Sequence, residues 1–282
     1  MMSANSSSGR PIVGVFDSGV GGLTVLRELL RQAPQAEYLY FGDTARLPYG
    51  SKSVETVSRY AISSAQFLVE HGAEFLVIAC NTASALALDA IAAAVPVPVL
   101  GVIDPGAARA AEISRSRKVV VIATEGTVGS HAYRRSLDRL GITALEKACP
   151  LLVPLVEEGW TDHAVTEQVA HLYLDPVFGS PDAAGSDVLV LGCTHYPLLR
   201  GLLRRVAPAH VQIVDSAECI PARVIAHSAR FRKLGNSEVE GGGSPAAGFR
   251  LFATDSVEKF RRAGEKFLGR PIAEVTHVDI ES

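Results

Sequence analysis

The sequence predicts an α/β protein made of two pseudo-symmetric halves, each a mainly parallel sheet flanked by helices. Three observations lead there. Apolar runs without polar alternation recur along the chain, as expected of parallel strands buried on both faces. Segments of helical periodicity alternate with those runs. The third observation is a repeat. The stretch Asp187-Val-Leu-Val-Leu-Gly-Cys-Thr-His-Tyr-Pro197 has the layout of Glu74-Phe-Leu-Val-Ile-Ala-Cys-Asn-Thr-Ala-Ser84: an apolar run, a small residue, a cysteine, then short polar side chains.

Taken in order, residues 11–16 form a first buried strand that enters Asp17-Ser-Gly-Val-Gly-Gly22. A helix follows over Leu23–Gln32, with Leu23, Leu26, Leu29 and Leu30 on its apolar face. Strand, Gly-rich turn and helix together offer free N–H groups to an anion. The spacing is not G-x-G-x-x-G, and Asp17 would repel a pyrophosphate, so an amino acid fits better than a nucleotide. Asp17 would meet its ammonium and the N–H groups its carboxylate. The competing reading is that Asp17 and Ser18 simply cap a helix.

Residues 37–41 form the next strand, and Pro48 and Gly50 fix the turn that holds Tyr49. Ser53 caps a helix whose inward face is Val54, Val57, Ala61, Ala65 and Leu68, ending at Gly72. Strand 73–79 delivers Cys80, and Asn81-Thr82 open a helix to about Val95. After strand 97–103, Asp104-Pro-Gly106 reads as a crossover, and the pattern restarts. A helix to Arg117 precedes strand 118–123; Thr124-Glu-Gly-Thr127 then opens a helix that Gly141 stops. Thr124 follows Asp17, and Cys193 follows Cys80, at about the same separation of some 110 residues, the mark of a weak internal repeat. Strand 142–149, a helix around 163–174 and a loop at 178–186 lead to strand 187–192, which delivers Cys193. Strand 211–214, a helix over 220–231, strand 249–254, a helix over 257–268 and strand 274–278 complete the chain. The division expected is a first domain of 11–104 plus 215–282 and a second of 105–214. Residues 1–10 are expected to be a disordered lead-in, and 235–248 a Gly-rich surface loop.

At 282 residues, 48% hydrophobic and with a formal net charge of −3, the composition suits a soluble globular enzyme and offers no basic footprint for nucleic acid. No apolar stretch reaches membrane-spanning length, because the Ala-rich run from Ala83 to Val95 carries Asp89 and closes at Pro96. The polar, Ser-rich N-terminus lacks the apolar core of a signal peptide, so a cytoplasmic location and reduced thiols are expected. Among Cys80, Cys149, Cys193 and Cys219, the spacing needed for zinc is missing, since only Cys193 and His195 are close together. No metal and no cofactor are expected.

Ligands of open α/β sheets bind beyond the carboxyl ends of the strands, so Cys80 and Cys193 stand where chemistry is done. Cys149 and Cys219 read as structural thiols. A helix N-terminus lowers a thiol's pKa from about 8.5 towards neutrality. A matched pair could then take a proton from an amino acid's α-carbon on one face and return one on the other, inverting configuration. Fixed N–H groups with Asn81, Thr82 and Thr194 would stabilise the carbanion-like state. His195 would hold a proton or share its charge with Cys193, and Asp17 would tune Cys80 or bind the ammonium. Tyr196 and Trp160 call for packing only.

Asp17-Ser-Gly-Val-Gly-Gly-Leu23, Pro48-Tyr-Gly50, Cys80-Asn-Thr-Ala-Ser84, Pro154-Leu-Val-Glu-Glu158 and Gly192-Cys-Thr-His-Tyr-Pro-Leu198 together resemble the cofactor-independent glutamate racemases. One CNTAS alone would be a weak signal, but five segments in order make a specific one. The resemblance implies interconversion of L- and D-glutamate for peptidoglycan synthesis, two pseudo-symmetric domains with the site between them, and a homodimer. Cys80 and Cys193 then match the acid/base residues, the first acting on D-glutamate and the second on L-glutamate. Asp17, Ser18, Tyr49, Gly50, Asn81, Thr82, Thr194 and His195 match substrate-contacting positions. Asp17, His195 and Glu157 match groups that assist the thiols, with Glu158 standing beside Glu157 as its competitor.

Three rivals remain at this point. The same chemistry could act on aspartate or a hydantoin. A two-lobed amino-acid binding protein would share the architecture, but it has no use for paired thiols. A thiol hydrolase with Cys193 as nucleophile and His195 as base would leave Cys80 unexplained, and a base two residues away on a turn is rarely well placed.

Overall fold

The structure, a computed structural model, describes residues 10–227 and 248–280. The expected lead-in and Gly-rich loop lie outside the described residues except for Arg10 and Gly248, as does the end of the helix expected to reach residue 231.

In chain order the first part comprises β1 (Ile12–Asp17), α1 (Leu23–Gln32), β2 (Glu37–Gly42), α2 (Val54–Glu70), β3 (Phe75–Ile78), α3 (Asn81–Leu86), α4 (Leu88–Ala94) and β4 (Val99–Gly101). The second comprises α5 (Ile103–Ile113), β5 (Lys118–Ala123), α6 (Glu125–Ser130), α7 (Ala132–Arg139), β6 (Thr143–Ala148), α8 (Leu152–Glu157), α9 (Ala164–Phe178), β7 (Val188–Gly192), α10 (Arg200–Val206) and β8 (Gln212–Asp215). Then come α11 (Ile220–His227), β9 (Phe249–Ala253), α12 (Val257–Leu268) and β10 (Thr276–His277).

The strands form two sheets in which every pairing is parallel, ordered β10-β9-β2-β1-β3-β4 and β6-β5-β7-β8. Within the larger sheet, β2-β1-β3-β4 reproduces the order of the smaller one, second strand, first, third, fourth. The repeat read from the sequence is thus a repeat of topology, to which β9 and β10 are added at one edge. In each sheet the order reverses beside its first strand (β1 or β5), and such a switch point opens a crevice at the strands' carboxyl ends. Asp17 and Cys80 lie at one such crevice, Thr124 and Cys193 at the other.

The missing alternation in the strands has a direct cause. In β3, Phe75 and Val77 face one core and Leu76 and Ile78 another; in β7, Leu189 and Leu191 oppose Val188 and Val190 in the same way. Each such side chain contributes about 1.5–3 kcal/mol on burial. One core runs without a break from Val13 and Val15 on the larger sheet, through Leu26 on α1, to Ile122 and Leu191 on the smaller. The two sheets are therefore joined by shared apolar packing.

Three expectations need correction. Asp104-Pro-Gly106 is not a crossover loop but the first turn of α5, where proline loses no hydrogen bond and an acidic residue suits the helix dipole. The helix expected from Asn81 to about Val95 is divided at Ala87, whose backbone leaves the helical region. The helix opened by Thr124 is likewise divided at His131, a left-handed residue whose Nδ1 lies 2.8 Å from Glu146.

Candidate active site

β3 ends one residue before Ala79, and Cys80 then serves as the N-cap of α3, its Sγ accepting the Ala83 N–H at 3.4 Å. The thiol donates to Ser18 Oγ at 3.6 Å, joining the two turns at the ends of β1 and β3. In the other sheet β7 ends at Gly192, and Cys193, Thr194 and His195 lead into a single 3-10 turn at Tyr196–Leu199. His195 Nδ1 lies 3.8 Å from Cys193 Sγ, and its Nε2 lies 3.0 Å from Glu157 Oε1 at the end of α8. The expectation that a base two residues along would be poorly placed does not hold here, because the turn folds the imidazole back onto the sulfur. Glu157, not Glu158, is the carboxylate that meets His195.

Both cysteines line one cavity of about 240 Å³ while remaining nearly buried, Cys80 at 5% and Cys193 at 6% exposure. That volume is below the range of about 300–1,000 Å³ usual for drug-sized ligands, so the space suits a small metabolite. Ser18, Tyr49, Gly50, Asn81, Thr82, Glu157, Thr194 and His195 share the wall. Asp17 does not. Its buried carboxylate accepts the Gly19 N–H at 3.0 Å and the Thr194 hydroxyl at 3.4 Å. Tyr49 presents its ring and not its hydroxyl, which donates to the buried Asp43 at 2.5 Å.

Sequence reasoning missed Thr124 and Glu125, as well as the apolar wall of Leu47, Pro150, Val153 and Pro154. The repeat could have found Thr124, since it stands at the end of β5 as Asp17 stands at the end of β1. Nothing local marks the apolar residues. Asn81 Oδ1 accepts from the Tyr133 hydroxyl at 2.8 Å. Its Nδ2 is buried and has no hydrogen-bond partner among the described residues.

The two halves meet closely on both flanks of the cavity. On one, Thr24 donates to the Thr194 carbonyl at 3.1 Å, and a Cβ at Gly21 would come within 2.3 Å of Thr194 Oγ1 and 2.6 Å of His195 Nδ1. On the other, the Thr82 and Thr124 hydroxyls are 2.9 Å apart, and a Cβ at Gly50 would meet Thr124 Cβ at 2.9 Å.

The electrostatics of the two thiols differ. Burial and the charge of Asp17 push Cys80 up to about 12, outweighing the Ala83 N–H. The lowering expected from a helix start is therefore not found there. Burial alone would push the His195 imidazole down, but its hydrogen bonds to Cys193 and Glu157 raise it to about 10. The same bond to His195 lowers the Glu157 carboxyl against the effect of its burial. Asp17 is raised by burial, partly offset by His195 and the Gly19 N–H. The imidazole beside Cys193 is thus held in its charged form, whereas Cys80 is held as a protonated thiol.

All four cysteines are free, and Cys149 is fully buried. The Tyr196 hydroxyl donates to the Cys149 carbonyl at 2.9 Å, which accounts for that tyrosine by packing and one bond. Among the described residues no three His, Cys, Asp or Glu side chains gather as a metal ion would require.

Residues 13–223 match the family model described as Asp/Glu/Hydantoin racemase. The chain is 58% identical to a glutamate racemase of Koribacter versatilis, over 96% of this chain and 98% of that one. Among solved structures it is similar to the glutamate racemase isoform RacE1 of Bacillus anthracis, with a TM-score of 0.85, 36% identity and 95% and 97% of the two chains covered. A glutamate racemase of Francisella tularensis, in complex with D-glutamate, superposes with a TM-score of 0.84 at 34% identity, over 96% and 98% of the chains.

Proposed function

The chain belongs to the Asp/Glu/hydantoin racemase family, and we propose that within it this enzyme interconverts L- and D-glutamate by moving protons on opposite faces of the α-carbon. One observation carries the reading: two sulfurs, each at the carboxyl end of a strand in a different parallel sheet, line the same small cavity.

In the L-to-D direction Cys193, as thiolate beside the His195 imidazolium, takes the α-proton. The C–H electron pair spreads onto the substrate carboxylate. Cys80, a neutral thiol, delivers its proton to the other face and is left as thiolate. Exchange with solvent then restores the starting protonation; the D-to-L direction runs the same steps in reverse. Glu157 holds His195 in its charged form, and Asp17 acts indirectly, by raising Cys80 and anchoring Thr194. Ser18, Asn81, Thr82 and Thr194 supply N–H and O–H donors to the substrate and its carbanion-like state, while Tyr49 and Gly50 shape the wall. The scheme calls for no cofactor.

We further propose that the two sheets mark two domains, 11–104 with 215–282 and 105–214, and that the enzyme works in the cytoplasm as a homodimer supplying D-glutamate for peptidoglycan. Among the described residues no helix is long and apolar enough to cross a membrane.

The test is racemisation in deuterated water. Wild type should exchange the α-hydrogen of glutamate while optical rotation decays to zero, and Cys80→Ala and Cys193→Ala should each lose racemisation by at least about 10³-fold. Near wild-type racemisation by either variant would refute the two-thiol scheme. Initial rates on L-glutamate and L-aspartate decide between glutamate and its nearest rival, and a hydantoin substrate can be run alongside.

A further inference from the structure

Tyr133, on α7, is fully buried and touches both cysteine turns. Its hydroxyl donates to Oδ1 of Asn81, the residue that follows Cys80. Its ring lies against Gly192, the residue that precedes Cys193, where a Cβ would come within 3.0 Å of Tyr133 Cε2. One rigid side chain thus bridges the turn at the end of β3 and the turn at the end of β7.

The hydrogen bond also gives the Asn81 amide a direction. An asparagine amide can be rotated by half a turn with little change in shape, exchanging two donors for an acceptor. A phenol that donates occupies the carbonyl oxygen and leaves the NH₂ group without a partner among the described residues. Asn81 is 2% exposed and lines the cavity, so its Nδ2 is a buried donor that awaits one. Burial holds the Tyr133 phenol well above its ordinary pKa, so it remains a donor at any working pH.

We propose that Tyr133 is a positioning residue for the racemase reaction: it spaces the two thiol turns and orients Asn81 so that N–H groups, not a carbonyl, face the substrate carboxylate. This rests on the two-thiol reading. Negative charge grows on that carboxylate as the α-proton leaves, so a correctly turned amide acts mainly in the transition state. A reversed amide would oppose the same charge.

The experiment uses the full chain with Tyr133→Phe, which removes one oxygen and keeps the ring. Both kcat and kcat/KM for glutamate should fall together by about 10–100-fold in both directions, with KM changed less than about three-fold. A merely structural role would move Tm and leave this split unchanged. In the double variant, Asn81→Ala should add less than about two-fold to the loss from Tyr133→Phe, because the two act as a unit. A crystal structure of Tyr133→Phe should show the Asn81 amide turned or disordered. A kcat within two-fold of wild type, multiplying effects in the double variant, or an unmoved Asn81 overturns the proposal. Should Tyr133→Phe fail to fold, Asn81→Asp decides: it keeps the acceptor for Tyr133 but faces the substrate with oxygen, so it must be less active than Asn81→Ala, and the opposite order overturns the proposal. Racemisation by Cys80→Ala or Cys193→Ala would sink the two-thiol reading instead and leaves the Asn81 structural comparison standing on its own.

Discussion

Cys80 and Cys193 are alike in sequence but not in surroundings. Cys80 faces the buried charge of Asp17, and Cys193 faces an imidazole held by Glu157. The pair is therefore asymmetric before any substrate arrives, with a buried carboxylate behind one sulfur and an imidazole beside the other. With Cys80 at about 12, only about one molecule in 10⁴ carries its thiolate at pH 8. Iodoacetamide should therefore label Cys80 at least about 100-fold more slowly at pH 8 than a free cysteine, and its rate should still be rising at pH 10. Peptide mass spectrometry of timed samples would check this. A plateau near pH 9 would mean that burial blocks the reagent without raising the thiol's pKa. Residue types and order made the two sulfurs and their polar neighbours legible in the sequence. The sequence names Asp17, His195 and Glu157 as groups that tune or assist the thiols, but not the sign of the asymmetry, which comes from the burial of Cys80 beside Asp17 and from the bond of His195 to Glu157.

Strands were more legible than helix ends. Each expected strand is present, and the central ones have apolar runs buried on both faces, as in β5, whose residues from Val119 to Ala123 are all buried, whereas the edge strands β6 and β10 are partly or wholly exposed. Helix breaks at Ala87 and His131 left no mark because neither position carries proline or glycine. The end of β8 illustrates a charge that the pattern hides. Asp215 looks like a strand-end polar residue, yet it is buried, and burial raises it to about 6 despite its bond from the Ala217 N–H. A carboxyl raised in the folded state binds its proton more tightly there than in the unfolded chain. Its contribution to stability is therefore complete below about pH 4 and is lost as pH rises through about 6. The loss is worth at most about 3 kcal/mol. Asp215→Asn keeps the acceptor for Ala217, so it should raise Tm by several degrees at pH 7.5 and by almost nothing at pH 4. Scanning calorimetry at both values would check it; an equal gain at both would rule out the ionisation as cause.

The two sheets are held in register by shared apolar packing and by small residues where they touch. Gly21 is the tightest of these points: any side chain there meets Thr194 and His195 head on. Because Thr194 and His195 belong to the Cys193 turn, a wedge at Gly21 displaces that turn from the other sheet and changes the separation of the sulfurs. Gly21→Ala should lower kcat/KM for glutamate by about 10²-fold, the cost of a misplacement near 1 Å, while the protein still folds. Steady-state kinetics beside a thermal melt would check this, and unchanged kinetics would show that the halves can part there freely. That two similar halves close on one site could be read from the repeat of strand, cysteine and polar turn. Their distance could not, since it is set by contacts such as Gly21 with Thr194 and Gly50 with Thr124, which no local pattern announces. The cavity between them has a further property: among the described residues its wall holds no lysine or arginine, and His195 is the one basic side chain. A dicarboxylic guest meets one positive charge there, the His195 imidazolium, and must trade the rest of its hydration for neutral dipoles. Such a cradle grips mainly by shape at short range, which suits a catalyst whose two mirror-image guests must leave with equal ease.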